Sequence, residues 1–263
     1  KYPAEYAETQ SNIGTTYLGL AESQDSEGNL TEATIAFGEA LKVYTIENKP
    51  VEYASTWSSL GNAYRGLAEF QNAAENLPKA VKAYEQALAV FTPEKYPNEY
   101  ALVLHELGTT WMSLAESQGK SDNLTKAVGA FTKALAVAGM DKYPVEYARI
   151  QNSLGTVLRY LAEIQDREKN LTQAIAAYSQ ALKIRTLEKY PNEYGLTQNN
   201  LGLAYRSLAD IRDRDVNLGK SIQAYDQALK IYTAEKNPVY HKIVTSNLEI
   251  AKQSAKKMGR TNG

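Results

Sequence analysis

Residues 50–96 read PVEYASTWSSLGNAYRGLAEFQNAAENLPKAVKAYEQALAVFTPEKY, and this stretch decides the fold because the rest of the chain repeats it. Tyr53, Ala54, Trp57, Leu60, Gly61, Tyr64, Leu67 and Ala68 recur at helical spacing, which winds them onto one face of a helix, here helix A. Pro50 suits a first helical turn, where its missing N–H has no partner to lose, and Glu52 sets a carboxylate near the positive end of the helix dipole. Leu77, Ala80, Val81, Tyr84, Ala87, Leu88 and Phe91 form a second periodic set, helix B. Asn76 stands just before that set, where its side chain is expected to cap the orphan backbone N–H groups.

Pro3, Pro50, Pro97, Pro144, Pro191 and Pro238 follow one another at intervals of 47 residues, and only Pro78 and Pro93 fall outside the series. A fixed period of this length marks a stacked array in which each unit contacts mainly its neighbours. The repeats are 3–49, 50–96, 97–143, 144–190 and 191–237, within a single solenoid domain over 1–263. Asn29, Asn123, Asn170 and Asn217 repeat Asn76. Three of them open N-x-T triplets, but caps multiplied by the repeat explain all five and glycosylation does not.

Ile13–Gly14, Leu60–Gly61, Leu107–Gly108, Leu154–Gly155 and Leu201–Gly202 lie midway along helix A. A glycine there costs ~1 kcal/mol of helix propensity, so its recurrence predicts a neighbouring helix close enough to exclude a side chain. Repeat three departs at Ala138–Gly139–Met140, which predicts early fraying of its helix B and a point of flexure. Asp166–Lys169 and Asp213–Asp215 read as solvated turns. Residues 238–263 hold one more helix A with Glu249 in the glycine position, which reads as a capping helix, followed by a basic tail, Lys256–Gly263, that reads as a frayed end.

The net charge of −1 gives no electrostatic reason to expect nucleic acid or an anionic membrane as partner. Without cysteine there is no disulfide framework, no apolar run is long enough to cross a bilayer, and a reducing cytoplasm fits. His105 and His241, the only histidines, lack metal-ligand spacing, and neither a G-x-S-x-G elbow nor a phosphate loop is present. No enzyme activity, metal or cofactor is therefore expected. The chain begins at Lys1 on a repeat boundary, which reads as a piece of a longer protein.

Trp57, Leu60–Gly61, Tyr64, Ala80, Tyr84 and Ala87 resemble the tetratricopeptide repeat position for position, although that repeat is usually about 34 residues long. The longer unit, with QNNLG at Gln198–Gly202, is similar to the long-helix arrays of kinesin light chains and bacteria. The resemblance implies an all-α, right-handed superhelix of antiparallel helix pairs whose helices A line an inner groove for binding proteins. Candidate groove residues, taken in register with the Leu-Gly pair, are Asn62, Arg65, His105, Arg149, Asn152, Arg159, Asn199 and Arg206. Asparagine suits a peptide backbone and arginine a carboxylate, so the expected ligand is a protein or peptide segment with acidic side chains.

The first reading is thus a non-enzymatic interaction scaffold, expected to be monomeric. The alternative is an autoregulatory arm of a larger bacterial effector, for example beside a caspase-like peptidase domain. A third reading, self-assembly through the N-terminal repeat face, predicts concentration-dependent association.

Overall fold

Each proline of the 47-residue series begins a helix. The computed structural model describes residues 2–256, and among them there are eleven α-helices and no strand. Helices A are α1 (Pro3–Ala21), α3 (Pro50–Leu67), α5 (Pro97–Ser117), α7 (Pro144–Leu161), α9 (Pro191–Ala209) and α11 (Pro238–Lys256). Helices B are α2 (Ser26–Ala40), α4 (Ala73–Leu88), α6 (Lys120–Val137), α8 (Arg167–Ala181) and α10 (Arg214–Leu229).

The described chain divides after Ala138 into two units. In the first, α1–α2, α3–α4 and α5–α6 form antiparallel pairs, with α2 packed on α3 and α4 on α5. In the second, α7–α8 and α9–α10 pair in the same way, α8 packs on α9, and α11 lies on α10.

One contact recurs inside every pair. The helix B aromatics Phe37, Tyr84, Phe131, Tyr178 and Tyr225 are fully buried, each against the helix A glycine of its own repeat. A Cβ added at Gly14, Gly61, Gly108, Gly155 or Gly202 would stand 2.6–2.7 Å from that ring, closer than carbon atoms approach. The recurrent glycine is therefore a packing residue, as its period predicts. Successive pairs join through aliphatic contacts: Leu30 and Ala33 of α2 meet Leu60, Ala63 and Leu67 of α3 in the first unit. In the second, Val244, Leu248 and Ala251 of α11 cover Tyr225, Ala228 and Tyr232, while Glu249 is exposed. The basic tail beyond Lys256 lies outside the described residues.

The repeated asparagines are not N-caps. Helix B starts four residues earlier than expected in every repeat, after Asp25, Asn72, Gly119, Asp166 or Asp213, each in the left-handed region with φ between 40° and 55°. Asp, Asn and Gly tolerate that conformation best. Asn29, Asn76, Asn123, Asn170 and Asn217 sit inside helix B and donate Nδ2 to the carbonyls of Gln24, Gln71, Gln118, Gln165 and Arg212 at 2.7–3.0 Å. Each of these carbonyls lies past the end of helix A, outside the helical ladder, and the asparagine supplies its partner. By the same shift, Arg167–Lys169 and Arg214–Asp215 belong to the first turns of α8 and α10 and not to the turns before them.

Asn170→Asp removes this donor and sets a carboxylate against the Gln165 carbonyl. The expected loss is about 1–3 kcal/mol at pH 7 by urea unfolding, with Asn170→Ala at the lower end. An Asn170→Asp protein as stable as the native one would contradict the assigned donor.

Repeat three does not fray early. Helix α6 runs to Val137, three positions beyond the register at which α2 and α8 end, and the Ala138 N–H still bonds the Ala134 carbonyl at 2.9 Å. Fully buried Ala138 replaces a large side chain there, so the helix continues without crowding. In the other repeats Thr45, Thr92, Thr186 and Thr233 accept a backbone N–H three residues on through Oγ1 and build a turn, a role Gly139 lacks.

Candidate functional site

Residues in register with the Leu-Gly pair are presented by α3 and α5 in the first unit and by α7, α9 and α11 in the second. On α3, Asn62 Oδ1 accepts the Tyr84 hydroxyl at 2.7 Å, and Arg65 forms an ion pair with Glu106 of α5 at 3.2 Å. Burial pulls the Arg65 pKa down, but the nearby Tyr84 and Glu106 more than offset it and the net shift is upward. Burial likewise lifts the Tyr84 phenol far above its ordinary value, so it remains a neutral donor. The Arg65 Nε is buried and has no hydrogen-bond partner.

His105 differs from its expected place on an open groove. It is 6% exposed, its ring lies 5.5 Å from the Phe131 ring, and its Nδ1 meets Glu106 Oε1 at 3.1 Å. Glu106, which the sequence reading passed over, thus joins Arg65 and His105.

In the second unit, Arg159 of α7 lies 4.5 Å above the Tyr160 ring and 3.8 Å from Glu163, with its Nε buried and unpartnered. Arg206 of α9 holds the same register and has a buried, unpartnered Nη1. Beneath them, the Tyr178 hydroxyl donates to Thr156 Oγ1 at 3.1 Å, and burial pushes its pKa to about 12. The Tyr225 hydroxyl is buried without a partner.

The asparagines tie neighbouring helices A together. Asn152 Oδ1 of α7 accepts the Thr197 hydroxyl of α9 at 3.1 Å, and Asn199 Oδ1 of α9 accepts Nδ2 of Asn247 on α11 at 3.1 Å. Arg149 is engaged by Glu146 one turn away, Nε to Oε1 at 2.8 Å.

Three repeats thus hold an arginine N–H at one register position, buried and without an acceptor. Leaving such a donor unsatisfied costs about 1–3 kcal/mol, a cost that an incoming acceptor would remove. The side chains are not sealed off, since Arg65 and Arg159 retain 30% and 17% exposure. Among the described residues no group of three His, Cys, Asp or Glu side chains is placed to hold a metal, and no helix is long and apolar enough to cross a membrane.

No family model matches the chain, and no curated protein does. Solved structures do. BtubC (BKLC) from P. vanneervenii aligns with a TM-score of 0.62 at 18% identity, over 89% of this chain and 92% of its own. The fold is that of a tetratricopeptide-repeat protein. Pseudomonas aeruginosa pilF gives a TM-score of 0.52 at 15% identity, covering 99% of this chain and 100% of its own. MamA protein gives 0.50 at 17% identity, covering 85% and 93%. At these identities the likeness concerns the tetratricopeptide-repeat fold alone.

Proposed function

We propose that this protein is a non-enzymatic interaction scaffold that holds an extended, acidic segment of a partner protein against its helices A. The observation that carries the reading is the repeated arginine at Arg65, Arg159 and Arg206, each with a buried N–H that lacks an acceptor. A carboxylate is the acceptor best matched to a guanidinium, because two parallel charge-assisted bonds form at once. The asparagines that bridge α7, α9 and α11 hold the backbones that carry Arg159 and Arg206 in place. The tetratricopeptide-repeat fold supports a protein as the ligand, and the near-neutral net charge gives no pull towards nucleic acid.

Affinity capture from a cell lysate tests this, comparing the native protein with an Asn62→Ala/Arg65→Ala/Arg159→Ala variant of unchanged helicity. Partners held by the native protein and lost from the variant are expected. An identical set from both would overturn the assignment.

A further inference from the structure

Each helix B is followed by an interior position filled by Tyr44, Phe91, Ala138, Arg185 and Tyr232 in successive repeats. The three aromatic residues there are 3–5% exposed and pack as core. Repeat four places an arginine in the same interior position, and Arg185 is 9% exposed. Its Nη1 donates to Thr197 Oγ1 at 3.1 Å, the one hydrogen bond the side chain makes among the described residues, and no carboxylate there lies within ion-pair distance of it. The single Thr197 hydroxyl proton lies between the Glu193 carbonyl at 2.7 Å and Asn152 Oδ1 at 3.1 Å, which leaves Oγ1 to accept from Arg185.

A buried guanidinium is costly to desolvate, and that cost is ordinarily offset by an ion pair. An aromatic ring avoids the cost in repeats one, two and five. Beside Arg185 lies a cavity of 140 Å³. Ala148 and Ile184 supply apolar wall, and Val145, half exposed, borders it. Arg149 lines it too but is committed to Glu146, and Glu193, exposed, adds a carboxylate that solvent screens. The volume equals that of about four or five water molecules at ~30 Å³ each, a fit for a short branched chain ending in a carboxylate.

We propose that this cavity binds an aliphatic carboxylate, with Arg185 gripping the carboxylate and Ala148, Ile184 and Val145 enclosing the chain. The site stands apart from the helix A arginines and does not rest on their role. Thr197 fixes one arm of the guanidinium and leaves Nε and Nη2 to form the two-bond fork that a carboxylate accepts. Burial already disfavours the charged arginine, and a bound anion restores it.

The test is thermal unfolding and NMR titration with isovalerate and with isovaleramide at pH 7. With a Kd of about 1 mM, 20 mM isovalerate raises Tm by about 4 °C, and the uncharged amide has little effect. Arg185→Tyr, which restores the residue type of repeats one and five, abolishes the isovalerate response while the unliganded Tm stays equal or rises. Arg185→Lys keeps the charge but loses the planar fork, and weakens binding at least tenfold. Acetyl-Ala-Ala-Val with a free carboxyl group, against its amide, distinguishes the source. Tighter binding than isovalerate assigns the site to a chain terminus, and weaker binding assigns it to a small acid. Equal responses to isovalerate and its amide, an unchanged response in Arg185→Tyr, no response at all, or a fall in the unliganded Tm of Arg185→Tyr would each overturn the proposal.

Discussion

Tyr178→Ala lowers the stability of the second unit by about 3–5 kcal/mol. The ring is fully buried between the helices of its own pair, directly over Gly155, so its removal opens a cavity against a residue with no side chain to fill it. Tyr178→Phe is expected to cost no more than about 1 kcal/mol, the net worth of one hydrogen bond, because it keeps the buried ring and loses the bond to Thr156. Phe37 and Phe131 fill this position in repeats one and three without a hydroxyl. Urea unfolding of the three proteins gives the comparison. A Tyr178→Phe loss as large as that of Tyr178→Ala would show that the hydroxyl, and not the ring, holds the pair together.

Gly155→Val destabilises by about 3 kcal/mol, despite removing a helix-weakening glycine, and the double variant shows why. The Cβ at position 155 meets Tyr178 Cε1 at 2.6 Å, inside a ring that packing holds on every side. Overpacking of this kind costs about 1–3 kcal/mol, and β-branching adds to it. In a Tyr178→Ala background the same substitution has room and costs far less, so the two changes are strongly non-additive. Additive effects would mean that glycine is needed at position 155 for some reason other than the ring. Because stacked repeats can unfold in stages, both experiments are read by two probes with coincident transitions.

These positions also show how far the sequence was legible. The prolines and the glycine–aromatic pairs were readable because each imposes a period of 47 residues through a strong local rule, a helix start or a steric exclusion. Asn76 and its equivalents share that period, but the period alone points to the wrong bond. Left-handed Asp25, Asn72, Asp166 and Asp213 look like any polar turn residue in one dimension, so the true helix start was hidden. Repeat three misled in another way. A small residue at Ala138 suggests weakness in sequence, whereas in the fold it lets α6 continue to Val137.

The candidate site was legible only in part. Arg65, Arg159 and Arg206 stood out by register, but Glu106 and the tyrosine hydroxyls beneath them depend on contacts between helices 22 to 41 residues apart in sequence. Arg185 carried a signal that comparing repeats would have found, a single charge in a column otherwise held by Tyr, Phe and Ala.

The measurement that bears most directly on the binding claim is a calorimetric titration with an acidic segment taken from a captured partner. It compares the native protein with Arg65→Ala/Arg159→Ala/Arg206→Ala, the two matched in helicity and Tm. Hydrogen bonds to charged groups are each worth about 1.5–3 kcal/mol, so the account predicts at least a hundredfold loss of affinity in the variant and weaker native binding as salt rises. Equal affinities for the two proteins, independent of salt, would contradict it.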